Sequence, residues 1–150
     1  MSESLREKSN KRVLVLANND VGLYRFRKDL LLTLLNAGHE VYISLPNGNF
    51  IPELVRYGCR FLDTPIDRRG MNPVRDAKLF RQYSAMLKKV RPDLVLTYTI
   101  KPNIYGGLAC RMARIPYAVN ITGLGSAIEN GGWLRRFVLA LYRPALKGAR

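Results

Sequence analysis

Short apolar runs alternate with longer amphipathic segments along almost the whole chain. The runs have the length and β-branched content of buried parallel strands, and they span Arg12–Ala17, Glu40–Leu45, Arg60–Leu62, Leu94–Tyr98 and Tyr117–Ile121. Helices are predicted between them, at Leu23–Ala37, Ile51–Tyr57, Pro73 to about Val90 and Pro102 to about Arg114, with a last one from Trp133 onward. Strands joined through helices pair in parallel with right-handed crossovers. The alternation therefore predicts an α/β, three-layer Rossmann-like domain with a parallel sheet.

Helical spacing predicts which residues of two helices are buried. In the first helix the residues that step by three or four are Leu23, Phe26, Leu30, Leu34 and Ala37, and Gly38 is expected to end it. In the helix that Pro73 opens, the apolar arc comprises Leu79, Phe80, Tyr83, Met86, Leu87 and Val90. The opposite arc of that helix is basic, with Arg75, Lys78, Arg81, Lys88 and Lys89.

The chain has the length and composition of one folded domain. It has 150 residues, 47% of them hydrophobic, so it can bury a core without disulfides or metals. Residues 1–11 are expected to form a flexible tail and residues 12–150 the domain. Neither a span of about 20 apolar residues nor a signal peptide is present in the sequence. Cys59 and Cys110 are isolated, which fits a reducing compartment, so a cytoplasmic protein is expected.

The chain is strongly basic, with 25 Lys and Arg against 11 Asp and Glu, a net charge of +14. Such an excess calls for an anionic counterpart, which can be a phosphate, a nucleic acid or a lipid surface. Because basic strands with interleaved aromatics and a recognisable reading helix are missing from the sequence, no nucleic acid is expected as partner.

The loop after the first strand, Asn18–Tyr24, matches neither the dinucleotide-binding nor the P-loop pattern. It contains Gly22 and leads into a helix that carries Arg25 and Arg27. Cations near a helix start favour a phosphate. A solvated basic helix start with a structural glycine explains the same residues equally well.

Two later loops fall at the same predicted edge of the sheet, where ligands of such sheets bind. After the fourth strand, Lys101 precedes a helix-opening proline and Asn103 follows it. Gly106 and Gly107 are costly within that helix, which favours close approach of a ligand over a packing neighbour. After the fifth strand, Thr122, Gly123 and Gly125 are suited to a loop around a polar ligand, or to a tight turn.

No catalytic residue can be assigned. The single histidine, His39, lies at the opposite edge of the predicted sheet, and Glu129 is the only acidic residue after Asp93. A Ser-His-Asp set cannot be assembled from these positions. Neither a metal nor a cofactor is expected.

The last helix is amphipathic and basic. Trp133 and Phe137 fall on one arc, and Arg135 and Arg136 on another, as in helices that lie in a membrane interface. A helix that packs on the core with a solvated basic face has the same pattern and is more common. Pro144 is expected to kink or end the helix.

Three segments together resemble the N-terminal, acceptor-side domain of a GT-B glycosyltransferase of family 4, from the group that builds capsule, exopolysaccharide and O-antigen. They are residues 13–46 (VLVLANNDVGLYRFRKDLLLTLLNAGHEVYISLP), 91–111 (RPDLVLTYTIKPNIYGGLACR) and 117–127 (YAVNITGLGSA). The resemblance implies one half of a GT-B fold. Many family members carry a histidine in the region that here is Thr97–Thr99. This chain has no residue there that could take the role of that histidine.

The resemblance implies a function and a set of ligands. The function is transfer of a sugar from a nucleotide-sugar to a polyprenyl-diphosphate-linked acceptor, with retention of configuration, at the inner face of the cell membrane. The acceptor-side residues implied are Gly22, Arg25, Arg27, Lys101, Asn103, Thr122, Gly123 and Gly125, and the anionic membrane would contact Trp133, Arg135, Arg136 and Phe137.

The second, donor-binding domain of the family is absent from these 150 residues. The chain is therefore expected to be a fragment, a truncated reading frame or half of a split enzyme, and inactive alone. Two other functions are open: a non-catalytic, membrane-recruiting subunit of a split glycosyltransferase, and a basic nucleic-acid-binding domain.

Overall fold

The computed structural model describes residues 10–66, 72–121 and 132–149, in which a five-stranded parallel sheet lies between two layers of helices. The strands are β1 (Arg12–Leu16), β2 (Glu40–Leu45), β3 (Arg60–Asp63), β4 (Leu94–Tyr98) and β5 (Tyr117–Asn120). The helices are α1 (Asp20–Asn36), α2 (Ile51–Tyr57), α3 (Pro73–Val90), α4 (Gly107–Ala113) and α5 (Gly132–Leu146). A π-helical turn, Pro102–Gly106, precedes α4. The predicted fold class is confirmed.

The strand order is β3-β2-β1-β4-β5, and β1 pairs in parallel with both β2 and β4. Successive β1 residues alternate between two cores. Val13 and Val15 pack with α1 and α2, whereas Leu14 and Leu16 pack with α3 and α4. The connections after β1 and β4 therefore leave toward opposite faces of the sheet, and the order reverses between these two strands.

Local signals account for where the helices begin and end. Asn19 caps α1 and Asn72 caps α3, since each side chain accepts backbone N–H bonds from the first turn. Gly38 and Gly58 follow α1 and α2 with φ of 91° and 116°, which glycine adopts without strain. Helix α5 continues past Pro144 to Leu146, so the proline does not end it.

The predicted face of α3 is confirmed, but that of α1 is correct only at Leu23 and Leu34. Leu79, Tyr83 and Leu87 of α3 are buried. In α1 the buried apolar residues are Leu23 and Leu31, whereas Phe26 is 77% exposed. Three consecutive leucines, at 30–32, offer the helix a second apolar arc, and the packing uses Leu31. Within the described residues, no helix is long and apolar enough to cross a bilayer.

Candidate functional site

A cleft of about 520 Å³ opens at the carboxyl ends of β1 and β4. One wall is the start of α1 and the other is the segment that follows β4. The residues that line it include Asn18, Gly22, Phe26, Arg27, Tyr98 and Thr99. The cleft thus lies where the strand order reverses, which is the usual ligand position in open α/β sheets.

The start of α1 is held by side chains from two directions. Asn19 Oδ1 accepts the Gly22 N–H at 2.7 Å, and Asn19 Nδ2 donates to Asn18 Oδ1 at 2.7 Å. Asp20 is buried, and its Oδ2 accepts the Phe50 N–H at 2.8 Å. A Cβ atom on Gly48 would lie 2.4 Å from that carboxylate, so only glycine fits there. These contacts hold the start of α1 in place as one wall of the cleft.

Arg27 brings a positive charge to the cleft. Its guanidinium carbon lies 4.8 Å from the centre of the Tyr98 ring, a cation–π contact. No carboxylate lies within ion-pair distance of Arg27 among the described residues. Burial raises the pKa of Tyr98, and Arg27 partly offsets that rise, so the phenol stays protonated at neutral pH. The two side chains together offer the cleft a cation and a hydroxyl.

Thr99 has an unusual backbone conformation for its residue type. Its φ is 72°, in the left-handed region that β-branched residues rarely adopt, and such a conformation costs about 1–3 kcal/mol. Its Oγ1 is buried and has no hydrogen-bond partner. Thr99 therefore forms part of the cleft wall, while its hydroxyl is enclosed by the protein.

Lys101 is buried and already paired within the protein. Its Nζ lies 2.9 Å from Asp76 Oδ1, and the two side chains are only 10% and 7% exposed. The Tyr105 hydroxyl donates to Asp76 Oδ2 at 2.9 Å. Burial is the larger cause that raises the pKa of Tyr105, and this hydrogen bond raises it further. The sequence predicts that Lys101 binds a ligand phosphate. In the structure its ammonium group instead forms an ion pair that joins α3 to the segment that follows β4.

Asn103 is buried too, as a link between elements. Its Nδ2 donates to the Asn120 carbonyl at 3.1 Å and to the Tyr142 hydroxyl at 3.3 Å. These contacts join the π-helical turn to β5 and α5. Neither Lys101 nor Asn103 is among the residues that line the cleft.

The close approach predicted at Gly106 and Gly107 is made by the protein itself. A Cβ atom on Gly106 would lie 2.5 Å from Leu16 Cδ1 of β1. One on Gly107 would lie 3.2 Å from the Ala145 carbonyl oxygen of α5. The preference for a ligand at these glycines is therefore wrong, since a strand and a helix take up the space.

The remaining predicted site residues separate into three groups. Gly22 and Arg27 line the cleft, whereas Arg25 is exposed outside it, because helix residues two apart face different directions. Thr122, Gly123 and Gly125 lie outside the described residues, as do the side chains of Trp133, Arg135 and Phe137. Arg136 is exposed on α5.

The described residues offer few groups for covalent or acid–base chemistry. His39 lies at the far edge of the sheet, where its Nδ1 accepts the Lys11 N–H at 3.2 Å. Burial raises the pKa of Cys59 to about 11 and that of Cys110 to about 12, so neither is a thiolate at neutral pH. No cluster of three metal-ligating side chains occurs in the part of the chain that the structure describes.

Sequence reasoning missed Phe26, Tyr98 and Thr99 as cleft residues. Phe26 fitted an apolar arc and was therefore predicted to be buried. Tyr98 and Thr99 could have been found, since Tyr98 is the last residue of β4 and Thr99 follows it, at the ligand edge of a parallel sheet.

Comparison with protein families matches residues 12–150 to the family described as Glycosyl transferase 4-like. Among curated proteins, the chain is 29% identical over 143 residues to N,N'-diacetylbacillosaminyl-diphospho-undecaprenol alpha-1,3-N-acetylgalactosaminyltransferase of Campylobacter jejuni. That match covers 92% of this chain and 38% of the relative. The chain thus spans well under half the length of this relative.

Solved structures share the fold at low identity. A glycosyltransferase from Rickettsia africae has a TM-score of 0.64 at 18% identity, over 74% of this chain and 29% of that one. A UDP-GlcNAc 2-epimerase from Neisseria meningitidis has a TM-score of 0.59 at 13% identity, over 89% of this chain and 38% of that one. The fold is therefore common to sugar-transferring and sugar-epimerising proteins.

Replacement of Asp76 tests the buried ion pair. Asp76→Ala leaves the Lys101 ammonium buried without its carboxylate, so we expect a loss of about 3–5 kcal/mol in the free energy of unfolding. The double variant Asp76→Leu/Lys101→Met removes both charges and should recover most of that loss. Urea unfolding measures both effects. A double variant as unstable as Asp76→Ala would contradict this interpretation.

Proposed function

The chain belongs to the Glycosyl transferase 4-like family, and from that membership we propose that it supplies the acceptor side of a glycosyltransferase. The proposed reaction moves a sugar from a nucleotide-sugar to a polyprenyl-diphosphate-linked glycan in surface polysaccharide synthesis, with retention of configuration. The acceptor diphosphate binds in the cleft between α1 and the end of β4.

The observation that carries this proposal is the position and charge of Arg27. It lines a cleft at the reversal of the strand order, and no described carboxylate neutralises it. A guanidinium offers several N–H donors in a geometry that suits phosphate oxygens. Asn18 and Tyr98, which carry polar groups, line the same cleft.

The identity of the acceptor rests on the curated relative. The name of the Campylobacter jejuni protein describes an acceptor that is a sugar diphosphate of undecaprenol. The likeness extends over 92% of this chain. A related lipid diphosphate is accordingly the acceptor proposed for this chain.

We propose further that the nucleotide-sugar is bound by a second domain, outside residues 1–150. The described residues hold one Rossmann-like sheet, whereas donor and acceptor need two facing sites.

Transfer of a labelled sugar to a polyprenyl-diphosphate-linked glycan should appear only when a donor-binding domain is added, and NMR of the product should show a retained anomeric configuration. Comparable turnover by the 150-residue chain alone would contradict the proposal that a second domain binds the nucleotide-sugar. Persistent turnover when this chain carries Arg27→Gln would favour a recruiting subunit instead.

Diphosphate binding tests the role of Arg27. Arg27→Gln should weaken the binding of inorganic diphosphate to the 150-residue chain by about tenfold or more, because it removes a charge-assisted contact. Arg25→Gln is the matched control, since it removes the same charge from an exposed position on the same helix. Titration calorimetry measures both dissociation constants. Equal losses in the two variants would show only a general effect of net charge.

A peripheral position at the membrane is part of the proposal. Arg136, Arg143 and Lys147 are exposed on or just after α5, and each basic residue near an anionic leaflet contributes roughly 1 kcal/mol. Arg136→Gln/Arg143→Gln should therefore weaken binding to phosphatidylglycerol vesicles by about tenfold or more. Lys88→Gln/Lys89→Gln, exposed at the carboxyl end of α3, is the control with equal charge loss. Sedimentation with vesicles compares the two, and equal losses would contradict a role for α5.

A further inference from the structure

Phe26 is an exposed aromatic residue at the rim of the cleft. Its side chain is 77% exposed, yet it belongs to the residues that line the cavity. Leu30 follows one turn later on α1 and is 38% exposed. Residues four apart are neighbours on a helix surface, so the two form an apolar strip that runs from the cleft along α1.

The cleft therefore carries a cation and an apolar surface side by side. Arg27 lines the same cleft as Phe26 and contributes the positive charge. Exposed apolar residues are common on protein surfaces, but this one adjoins a charge with no described acidic partner. A ligand that carries an anionic group next to a hydrocarbon fits both features.

We propose that the strip of Phe26 and Leu30 binds the isoprenoid units next to the diphosphate of the lipid acceptor. This inference rests on the proposed function, in which the diphosphate lies at Arg27. A prenyl diphosphate joins its charged group to an unsaturated hydrocarbon chain without a spacer, which matches adjacent side chains of opposite character. The strip then distinguishes a lipid-linked diphosphate from a soluble one by burying hydrocarbon against the Phe26 ring.

The experiment compares two probes, farnesyl diphosphate below its micelle-forming concentration and inorganic diphosphate, on the 150-residue chain. We expect farnesyl diphosphate to bind about tenfold tighter or more, because hydrocarbon leaves water. Phe26→Ala should reduce that preference, the ratio of the two affinities, to about threefold or less. Phe26→Leu should keep most of it. Since Phe26 is exposed, these variants are expected to fold, and circular dichroism checks that they do.

Met112 supplies the matched control. It is 74% exposed on α4 and adjoins Arg111, so Met112→Ala removes a side chain of similar size and exposure beside another cation. We expect no change in preference for this variant. An equal effect of Met112→Ala would show unspecific adsorption and overturn the inference.

Other outcomes separate the inference from the proposed function. Equal affinity for the two probes, still dependent on Arg27, would overturn the role of the strip and leave the diphosphate site standing. Failure of both probes to bind would overturn the two together. If Phe26→Ala reduced self-association in sedimentation velocity but kept the probe preference, the strip would be a surface between copies of this chain.

Discussion

The parallel pairing of β1 with both β2 and β4 is the constraint on which the site depends. The chain leaves β1 toward one face of the sheet and β4 toward the other. The connections that follow these two strands therefore separate and leave a crevice that no backbone fills. The cleft between α1 and the end of β4 occupies this crevice. Asn19 and Asp20 hold one wall, whereas the contact between Gly106 and Leu16 fixes the segment beyond the other.

The sequence predicted the sheet and most of the helices because their signals are local. Runs such as Arg12–Leu16 are short and apolar, and α3 has one unambiguous apolar arc. The face of α1 could not be predicted, since consecutive leucines allow two arcs and only the packing against the sheet selects Leu31. The partner of Lys101 could not be predicted either. Asp76 lies 25 positions earlier in the chain and meets it only through the fold.

The distribution of charge explains why a net charge of +14 is a poor guide to the site. Lys101 is neutralised by a buried carboxylate, while Arg25 and Arg136 are exposed away from the cleft. Among the predicted cations whose side chains the structure describes, only Arg27 lines it. Its neighbours Tyr98 and Thr99 carry no charge, so they were not recognised from composition. What singles them out is their place at the end of a central strand.

The central claim, that this cleft receives a lipid-linked diphosphate, is tested most directly by NMR titration of the ¹⁵N-labelled chain with farnesyl diphosphate. If this claim holds, the largest amide shifts occur at Gly22, Arg27 and Thr99, with little change at Lys88 on the exposed face of α3. Saturable shifts centred on α5, or shifts spread evenly over basic residues, would contradict it.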